Sequence, residues 1–479
     1  MIVNVSDFGA ASDGKVLASA AIQKAIDFCY QNGGGKVVFE SGTYLIGSLY
    51  MRSNVFLELP RGCVLFATSD LTAYNAPDAW SQNVACVNPF EHTSGGHLII
   101  FLEVENCGIV GEGRIDGNGE YLSGKKTHSY KDPEFLRPAQ MIYMCESNCI
   151  TLRNIELYNS PYWNCYIHGC DNVILTGLRL KNCAEIYNGD GIDVDSSSRI
   201  LISDCIIETQ DDCLTFRCVR MCLKNPHKIT SNITVSNCIL STRSCNAIRI
   251  GCGRGEIRDM NFSNIVATNC GKVICMESQY ARVRDRPGVR LENISFSNIV
   301  FDNCDYFLFL SSSCWNFSDP VMQSPPIRNI TFSHIRGNML NNIVVQAHEG
   351  IEISNILFHD AALEITREAK LLESYGYTEW DFASSKGVFY IANARDVTFD
   401  HVRCRITNGA APFEYSVLGH NAENLNFRDI LVTKKGATLP ERLVSAAMNE
   451  CKMESHRDFM KGDTFMAYPV TEEDLSFLE

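Results

Sequence analysis

Asn232-Ile233-Thr234-Val235-Ser236-Asn237-Cys238 alternates apolar and polar side chains and carries next to its end Asn237, a residue type that tolerates a left-handed backbone. The same unit recurs as Arg199-Ile200-Leu201-Ile202-Ser203-Asp204-Cys205, Asp259-Met260-Asn261-Phe262-Ser263-Asn264-Ile265 and Asn293-Ile294-Ser295-Phe296-Ser297-Asn298-Ile299. It continues as Asn329-Ile330-Thr331-Phe332-Ser333-His334-Ile335, Asp396-Val397-Thr398-Phe399-Asp400-His401-Val402 and Asn424-Leu425-Asn426-Phe427-Arg428-Asp429-Ile430. Starts are mostly 27 to 36 residues apart. Period-two alternation rich in β-branched and aromatic residues is strand chemistry, and a repeat of this length is the mark of a solenoid. Asn, Asp and Gly supply the corners. The expected fold is all-β: a right-handed parallel β-helix of about ten coils, each burying its inward side chains against the next. Propeller blades would be longer, about 40 to 45 residues, and leucine-rich repeats need a Leu-x-x-Leu-x-Leu signature that is absent.

Outside the repeat, Ala21, Ile22, Ala25, Ile26 and Cys29 fall at helical spacing, and Gly33-Gly34-Gly35 ends the segment. A helix over about 19–31 is expected, capping the open N-terminal end, which otherwise exposes strand edges. Residues 364–386 interrupt the repeat with Tyr375, Tyr377 and Trp380 and read as an inserted loop. The β-helix is expected to occupy 1–437, with 438–479 a C-terminal helix and tail.

The formal net charge of -14 argues against nucleic acid as partner, because phosphate binding wants a basic face. A local arginine cluster could still hold an anionic sugar. No stretch of about 18 apolar residues exists to span a membrane. Met1-Ile2-Val3-Asn4 and its continuation lack the pattern of a secretory signal, so a cytoplasmic chain is expected unless a signal once preceded it. The 22 cysteines are scattered singly at strand positions such as Cys205, Cys238 and Cys270, where a thiol serves as a small hydrophobe; they are expected to be free. Cys218 with Cys222, or Cys145 with Cys149, has no second pair at zinc spacing, so neither metal nor cofactor is expected. Oligomeric state is not written in the sequence.

Asn188-Gly189-Asp190 and Gln210-Asp211-Asp212 stand about one coil apart. Stacked coils would set Asp190, Asp211 and Asp212 within a few ångströms. Crowded carboxylates cannot all ionise easily, so at least one pKa should rise. A protonated and an ionised carboxyl side by side are what glycosidic cleavage requires. The bland alternative is a set of turn aspartates. Asp193 and Asp195 follow at alternate positions, with a structural role as plausible as any other, and His168 reads as a packed histidine.

With these motifs the chain resembles glycoside hydrolase family 28, the polygalacturonase-like enzymes, from about Val5 to Asp429. Asp7-Phe8-Gly9-Ala10, Gly42-Thr43-Tyr44-Leu45-Ile46-Gly47, Gly113-Arg114-Ile115-Asp116-Gly117-Asn118-Gly119, Arg137-Pro138 and Asn159-Ser160-Pro161-Tyr162-Trp163 carry the likeness beside the aspartates. The resemblance implies that Asp211 is the general acid, that Asp190 and Asp212 activate water, and that the anomeric centre inverts. Spacing alone points the other way, since neighbouring strands lie about 4.8 Å apart and inverting pairs about 6.5–9.5 Å apart.

Two departures stand out. The family's Gly-His-Gly aligns with Cys245-Asn246-Ala247, and its Arg-Ile-Lys with Val273-Ile274-Cys275. The basic residues that hold galacturonate are thus replaced. Asn188, Arg217, Asn246, Arg249, Glu277, Tyr280 and Trp163 are the expected substrate contacts, with Glu277, Gln279 and Tyr280 suited to a more neutral sugar. The expected activity is hydrolysis of pectic or other uronic-acid-bearing oligosaccharides or polysaccharides, cutting from one end, and not plain polygalacturonase activity. A β-helix lyase or epimerase, or a non-catalytic carbohydrate-binding solenoid, are the alternatives.

Overall fold

The computed structural model describes residues 1–75, 93–122, 137–183, 186–220, 223–242, 245–279, 288–313, 325–347, 351–366, 386–407, 411, 413–420, 422–440 and 442–444. The chain is an all-β protein of right-handed parallel β-helix type. It divides into two compact units: Met1–Thr215 with Val219–Ile239, and Phe216–Cys218 with Leu240–Glu479.

In the first unit the chain visits three parallel ladders in turn. One runs through Gly35–Val38, Val55–Leu59, Glu105–Gly111, Asn148–Arg153, Asp171–Thr176 and Ser198–Ser203. A second runs through Gly42–Ile46, Cys63–Ala67, Arg114–Asp116, Glu156–Tyr158, Arg179–Lys181 and Ile206–Thr209. The third joins Leu49–Tyr50, Ile99–Leu102, Ile142–Cys145, Cys165–His168 and Ile192–Asp195. Alternate side chains such as Ile150, Val173 and Ile200 stack in register and are wholly buried. The helix Ser19–Gln31 buries Ile22, Ala25, Ile26 and Cys29. Gln23 fastens it to the strand at Tyr50, donating Nε2 to the Tyr50 carbonyl (3.0 Å) and accepting the Tyr50 N–H (2.8 Å).

The second unit repeats with longer strands. Asn246–Thr268, Gly288–Cys304, Ile327–Met339, Ile353–Ile365, Ala394–Ile406 and Glu423–Lys434 pair in parallel, with Ile294, Ile330, Ile356, Val397 and Leu425 in one row. The central aromatic of each repeat falls in a single stack. Phe262, Phe296, Phe332, Phe358, Phe399 and Phe427 follow one another at ring-centroid distances of 4.8, 5.2, 4.9, 5.2 and 5.8 Å. The repeat's Asn residues form matching ladders outside. Asn355 donates Nδ2 to Asn329 (2.8 Å), Asn329 to Asn293 (2.9 Å) and Asn293 to Asp259 (2.9 Å). All four sit at φ of 54–59°, where Asn and Asp are the tolerated non-glycine residues.

Two expected boundaries move. Glu364 and Ile365 belong to the strand Ile353–Ile365, not to the inserted loop, because they pair in register with Arg405 and Ile406; residues 367–385, with Tyr375, Tyr377 and Trp380, lie outside the described residues. Strand structure also passes 437. Ala437–Thr438 turns back antiparallel onto Glu423–Lys434, and Arg442–Val444 extends the ladder of Tyr415–His420. Leu443 and Val444 thus join a strand, not the expected helix, because the edge of Tyr415–His420 offers them backbone partners; residues 445–479 lie outside the described residues. No helix among the described residues is long and apolar enough to cross a membrane. The described cysteines are free thiols, most of them buried.

Candidate active site

The three aspartates sit at coil corners of the first unit, just before strands. Asp190 precedes Ile192–Asp195; Asp211 and Asp212 fill the bend between Ile206–Thr209 and Leu214–Cys218. Off the regular pleat, the rule that neighbours point to opposite faces no longer binds Asp211 and Asp212. The two corners are stitched together: the Gly191 N–H donates to the Asp212 carbonyl (2.8 Å) and the Ile192 N–H to the Cys213 carbonyl (3.0 Å). Asp190 therefore stands one strand spacing, about 4.8 Å, from Asp212 along the stack, an offset of 22 residues. Asp211 is one residue further round the corner. Gly191 is required there, since a Cβ would come 2.3 Å from the Cys213 carbonyl oxygen.

Asp190 and Asp212 are buried and Asp211 is half-buried. The corner holds its own shape. Asp211 Oδ1 accepts the Asp212 N–H (2.9 Å), and Thr209 Oγ1 donates to the Asp211 carbonyl (2.6 Å). On the other side, Asn164 donates both its backbone N–H (3.0 Å) and its Nδ2 (2.8 Å) to the Asp190 carbonyl. Asn182 donates Nδ2 to the Gly189 carbonyl (2.9 Å).

Asn188 is less a free substrate contact than an anchor point. Its Oδ1 accepts from Arg137 Nη2 at 2.7 Å, while Arg137 Nη1 donates to the carbonyls of Tyr187 (2.6 Å) and Pro161 (3.2 Å). The guanidinium also lies 4.5 Å from the centroid of the Tyr162 ring. Arg137 is 3 % exposed. Sequence reading singled out Arg137 and Asn182 for no role at the site, since they lie 53 and 8 residues from Asp190; Arg137-Pro138 was legible only as part of a family likeness.

Trp163 is buried in an aromatic cluster. Its ring stacks on Tyr162 (5.1 Å, 13°) and meets Tyr166 edge-on (5.4 Å, 73°), with Ile100, Tyr143, Cys145 and Leu223 completing the group. Packing, rather than an open platform for a sugar, is what this position provides. His168 is a packed histidine: its Nδ1 lies 2.9 Å from Tyr166 Oη, which donates to Asp195 Oδ2 at 2.9 Å. Burial pushes the Asp195 carboxyl up, but His168 together with hydrogen bonds from the Val219 N–H and the Ser196 hydroxyl outweighs it and holds Asp195 at about 2. Asp195 thus ties this strand to Val219, and Ser196 Oγ accepts the neighbouring Arg220 N–H, a structural role.

The remaining expected contacts belong to the second unit, apart from Tyr280, which lies outside the described residues. Arg217 is buried on Leu214–Cys218, and Asn246 is buried at the start of Asn246–Thr268. Arg249 pairs in register with Cys275, and Gly251 with Glu277. Arg249 Nη2 meets Glu277 Oε2 at 2.9 Å, and both side chains are largely buried. The cation that could have clamped a carboxylate is therefore neutralised by a neighbour on the next strand. Lys272, opposite Asn246 in register, lies near Asp305; burial pushes the Asp305 carboxyl up to about 6, and the Lys272 ammonium offsets part of that.

Comparison with known proteins agrees with this architecture. The model for glycosyl hydrolases family 28 matches residues 87–225, a span that holds Arg137 and all three aspartates. A model described as rhamnogalacturonase A/epimerase, pectate lyase-like, matches residues 2–57. A probable polygalacturonase of Vitis vinifera is 25% identical over 379 residues, covering 74% of each chain. An endo-polygalacturonase of Pectobacterium carotovorum is 26% identical over 301 residues, 55% of this chain and 73% of the other. Among solved structures, the family 28 exopolygalacturonase of Yersinia enterocolitica superposes with a TM-score of 0.61 at 18% identity, over 89% of this chain and 78% of the other. The exopolygalacturonase of Thermotoga maritima gives 0.53 at 17% identity, over 93% and 95%. At such identities the structures speak to the fold.

Proposed function

Because the chain is a divergent member of glycosyl hydrolases family 28, we propose that it is a glycosidase of the polygalacturonase-like type. It would hydrolyse O-glycosyl bonds in pectic or other uronic-acid-bearing oligosaccharides and cut from a chain end. The observation that carries this reading is the stitched pair of corners, in which Asp190 and Asp212 stand on adjacent coils with Asp211 beside them.

In this proposal Asp211, the most exposed of the three, protonates the glycosidic oxygen as the bond to the anomeric carbon breaks. Asp190 and Asp212 orient a water and take its proton as its oxygen attacks that carbon. The spacing of Asp190 and Asp212 is that of the two water-activating residues and does not set the acid-to-base distance; the inverting assignment rests on the family likeness.

Substrate preference follows from the two motifs in which this chain departs from the family. With Asn246 in place of the family's histidine and Val273 and Cys275 in place of its two basic residues, unmodified polygalacturonate should be a poor substrate. A buried carboxylate without a cation costs several kcal/mol. The test is a panel of aryl glycosides, polygalacturonate and neutral-sugar-substituted pectic oligosaccharides, with products resolved by chromatography. Release of monomer or dimer from substituted oligosaccharides, much faster than from polygalacturonate, is expected. Fast cleavage of polygalacturonate would overturn the substrate reading, and an unsaturated, ultraviolet-absorbing product would overturn hydrolysis itself.

A further inference from the structure

The corner residues of the second unit break their own rule at one place. Register aligns Ser263, Ser297, Ser333, His359, Asp400 and Arg428 in one column. The next residue of each coil is the left-handed corner: Asn264, Asn298, His334, Asp360, His401 and Asp429, all at φ of 51–56°. The column begins as an ordinary amide ladder, Asn298 Nδ2 donating to Asn264 Oδ1 at 2.7 Å. From His334 onward the amides give way to alternating imidazole and carboxylate. Nothing in the backbone asks for this change, since Asn serves the same corner elsewhere.

The side chains converge at Asp400. Its Oδ2 lies 3.2 Å from His359 Nδ1 and its Oδ1 lies 2.8 Å from His401 Nδ1. One nitrogen or oxygen from each of the three residues lies within 4.8 Å of the others. Asp360 and Asp429 are taken by arginines, through Arg336 and Arg403 at 2.7 Å each. Among the described residues Asp400 has no such lysine or arginine partner, so its carboxylate faces imidazoles alone. His401 is 62% exposed at its side chain, which leaves the cluster open to solvent.

We infer that His359, Asp400 and His401 form a binding site for a borderline divalent transition-metal ion such as Zn²⁺, which ties the coil of Ile353–Ile365 to that of Ala394–Ile406. Two neutral imidazoles and a carboxylate are a ligand set that suits zinc, nickel or copper and not magnesium or calcium, which want more oxygen donors. Zinc bonds to nitrogen and oxygen are about 2.0–2.2 Å, so tetrahedral ligand atoms stand about 3.4 Å apart. The half-buried His359 and Asp400 and the exposed His401 need move by about an ångström to reach that from the spacing seen, with water in the fourth position. The set differs from the cysteine pairs at short spacing by which a metal site is legible in a sequence. These ligands come together through strand register, 41 and 42 residues apart for His359 with Asp400 and with His401.

The test uses the full chain and the metal ions themselves. Calorimetric titration at pH 7.5 should show one equivalent of Zn²⁺ bound at least tenfold more tightly than Mg²⁺. Co²⁺ should give visible ligand-field bands without sulfur-to-metal charge transfer, which separates this site from one built on cysteines. His401→Asn restores the repeat's own corner residue and so preserves the fold. It should weaken Zn²⁺ at least tenfold and abolish the rise in unfolding midpoint that Zn²⁺ gives the parent chain, and His359→Asn should do the same. No uptake of Zn²⁺ by the parent chain would overturn the site, as would uptake that both variants leave within twofold of the parent.

Discussion

Replacing Arg137 with Met should loosen the corner that carries Asp190 while leaving distant coils intact. Arg137 makes two short charge-assisted bonds, to the Tyr187 carbonyl (2.6 Å) and Asn188 Oδ1 (2.7 Å), a longer one to the Pro161 carbonyl (3.2 Å), and a cation–π contact with Tyr162. Hydrogen bonds to a charged group contribute about 1.5–3 kcal/mol each. Tyr187 and Asn188 are only half-buried, so water recovers part of what they lose. The low end of that range for the two short bonds, with ~0.5–1 kcal/mol for the ring contact, gives roughly 3–4 kcal/mol. That loss falls on a corner whose backbone is protected by the Gly191 N–H on Asp212 and the Asn164 N–H on Asp190. Three kcal/mol is about two decades in an opening equilibrium. Native-state hydrogen exchange should therefore show protection at Gly191 and Asn164 falling about 100-fold, with amides of Val55–Leu59 unchanged. Arg137→Lys keeps the charge but not the planar fork and should lie between. Turnover should fall with the exchange protection in both variants. Protection within threefold of the parent at Gly191 and Asn164 in the Met variant would refute the idea that Arg137 sets this corner.

The other expectations are shorter. Asp211→Asn should slow hydrolysis by about 10² to 10⁴, the usual worth of general acid catalysis, and less so for nitrophenyl glycosides, whose leaving group needs no proton; Asp190→Asn should slow both alike, and equal effects of both variants on both substrates would defeat the roles. Phe332, wholly buried and stacked on both sides at 5.2 and 4.9 Å, should lose about 3–5 kcal/mol on conversion to Ala; Phe427, stacked on one partner among the described residues and only half-buried, should lose less than half of that in urea unfolding. Asp305 has its folded pKa raised to about 6 against an unfolded value near 3.9. The native state then holds the extra proton between those values, so stability falls as pH rises from about 4 to 6. Asp305→Asn should accordingly stabilise by about 1–3 kcal/mol at pH 7 and by nothing at pH 4, and a gain independent of pH would show the carboxyl is not the cause. Thiol titration of the denatured, unreduced chain should count close to the 22 cysteines of the sequence, and a count near zero would contradict the free thiols seen.

The solenoid is legible in the sequence because its information is local and repeated. Each Asn-apolar-x-apolar unit sets its own alternation and its own left-handed corner, so the pattern at Asn293–Ile299 and at Asn329–Ile335 dictates strand and turn without help from elsewhere. The helix at Ser19–Gln31 was equally local. The pairing of Asp190 with the Asp211-Asp212 corner could be anticipated from coil length, though the true offset of 22 residues makes Asp212, not Asp211, the residue opposite Asp190. What needed the tertiary structure was every contact made across coils of unequal length. Strand Cys165–His168 lies beside Ile142–Cys145 after 23 residues and beside Ile192–Asp195 after 27, so no fixed period tells which side chains will meet. That is why Arg137 on Asn188, Arg249 against Glu277, and His359 with Asp400 and His401 could not be read from the chain. Trp163 shows the same limit from the other side: an aromatic next to a motif looks alike whether it faces a sugar or Tyr162 and Tyr166. Local propensity selects strand, corner and face, whereas the lengths of the intervening loops select partners, and partners decide which charges are left for chemistry.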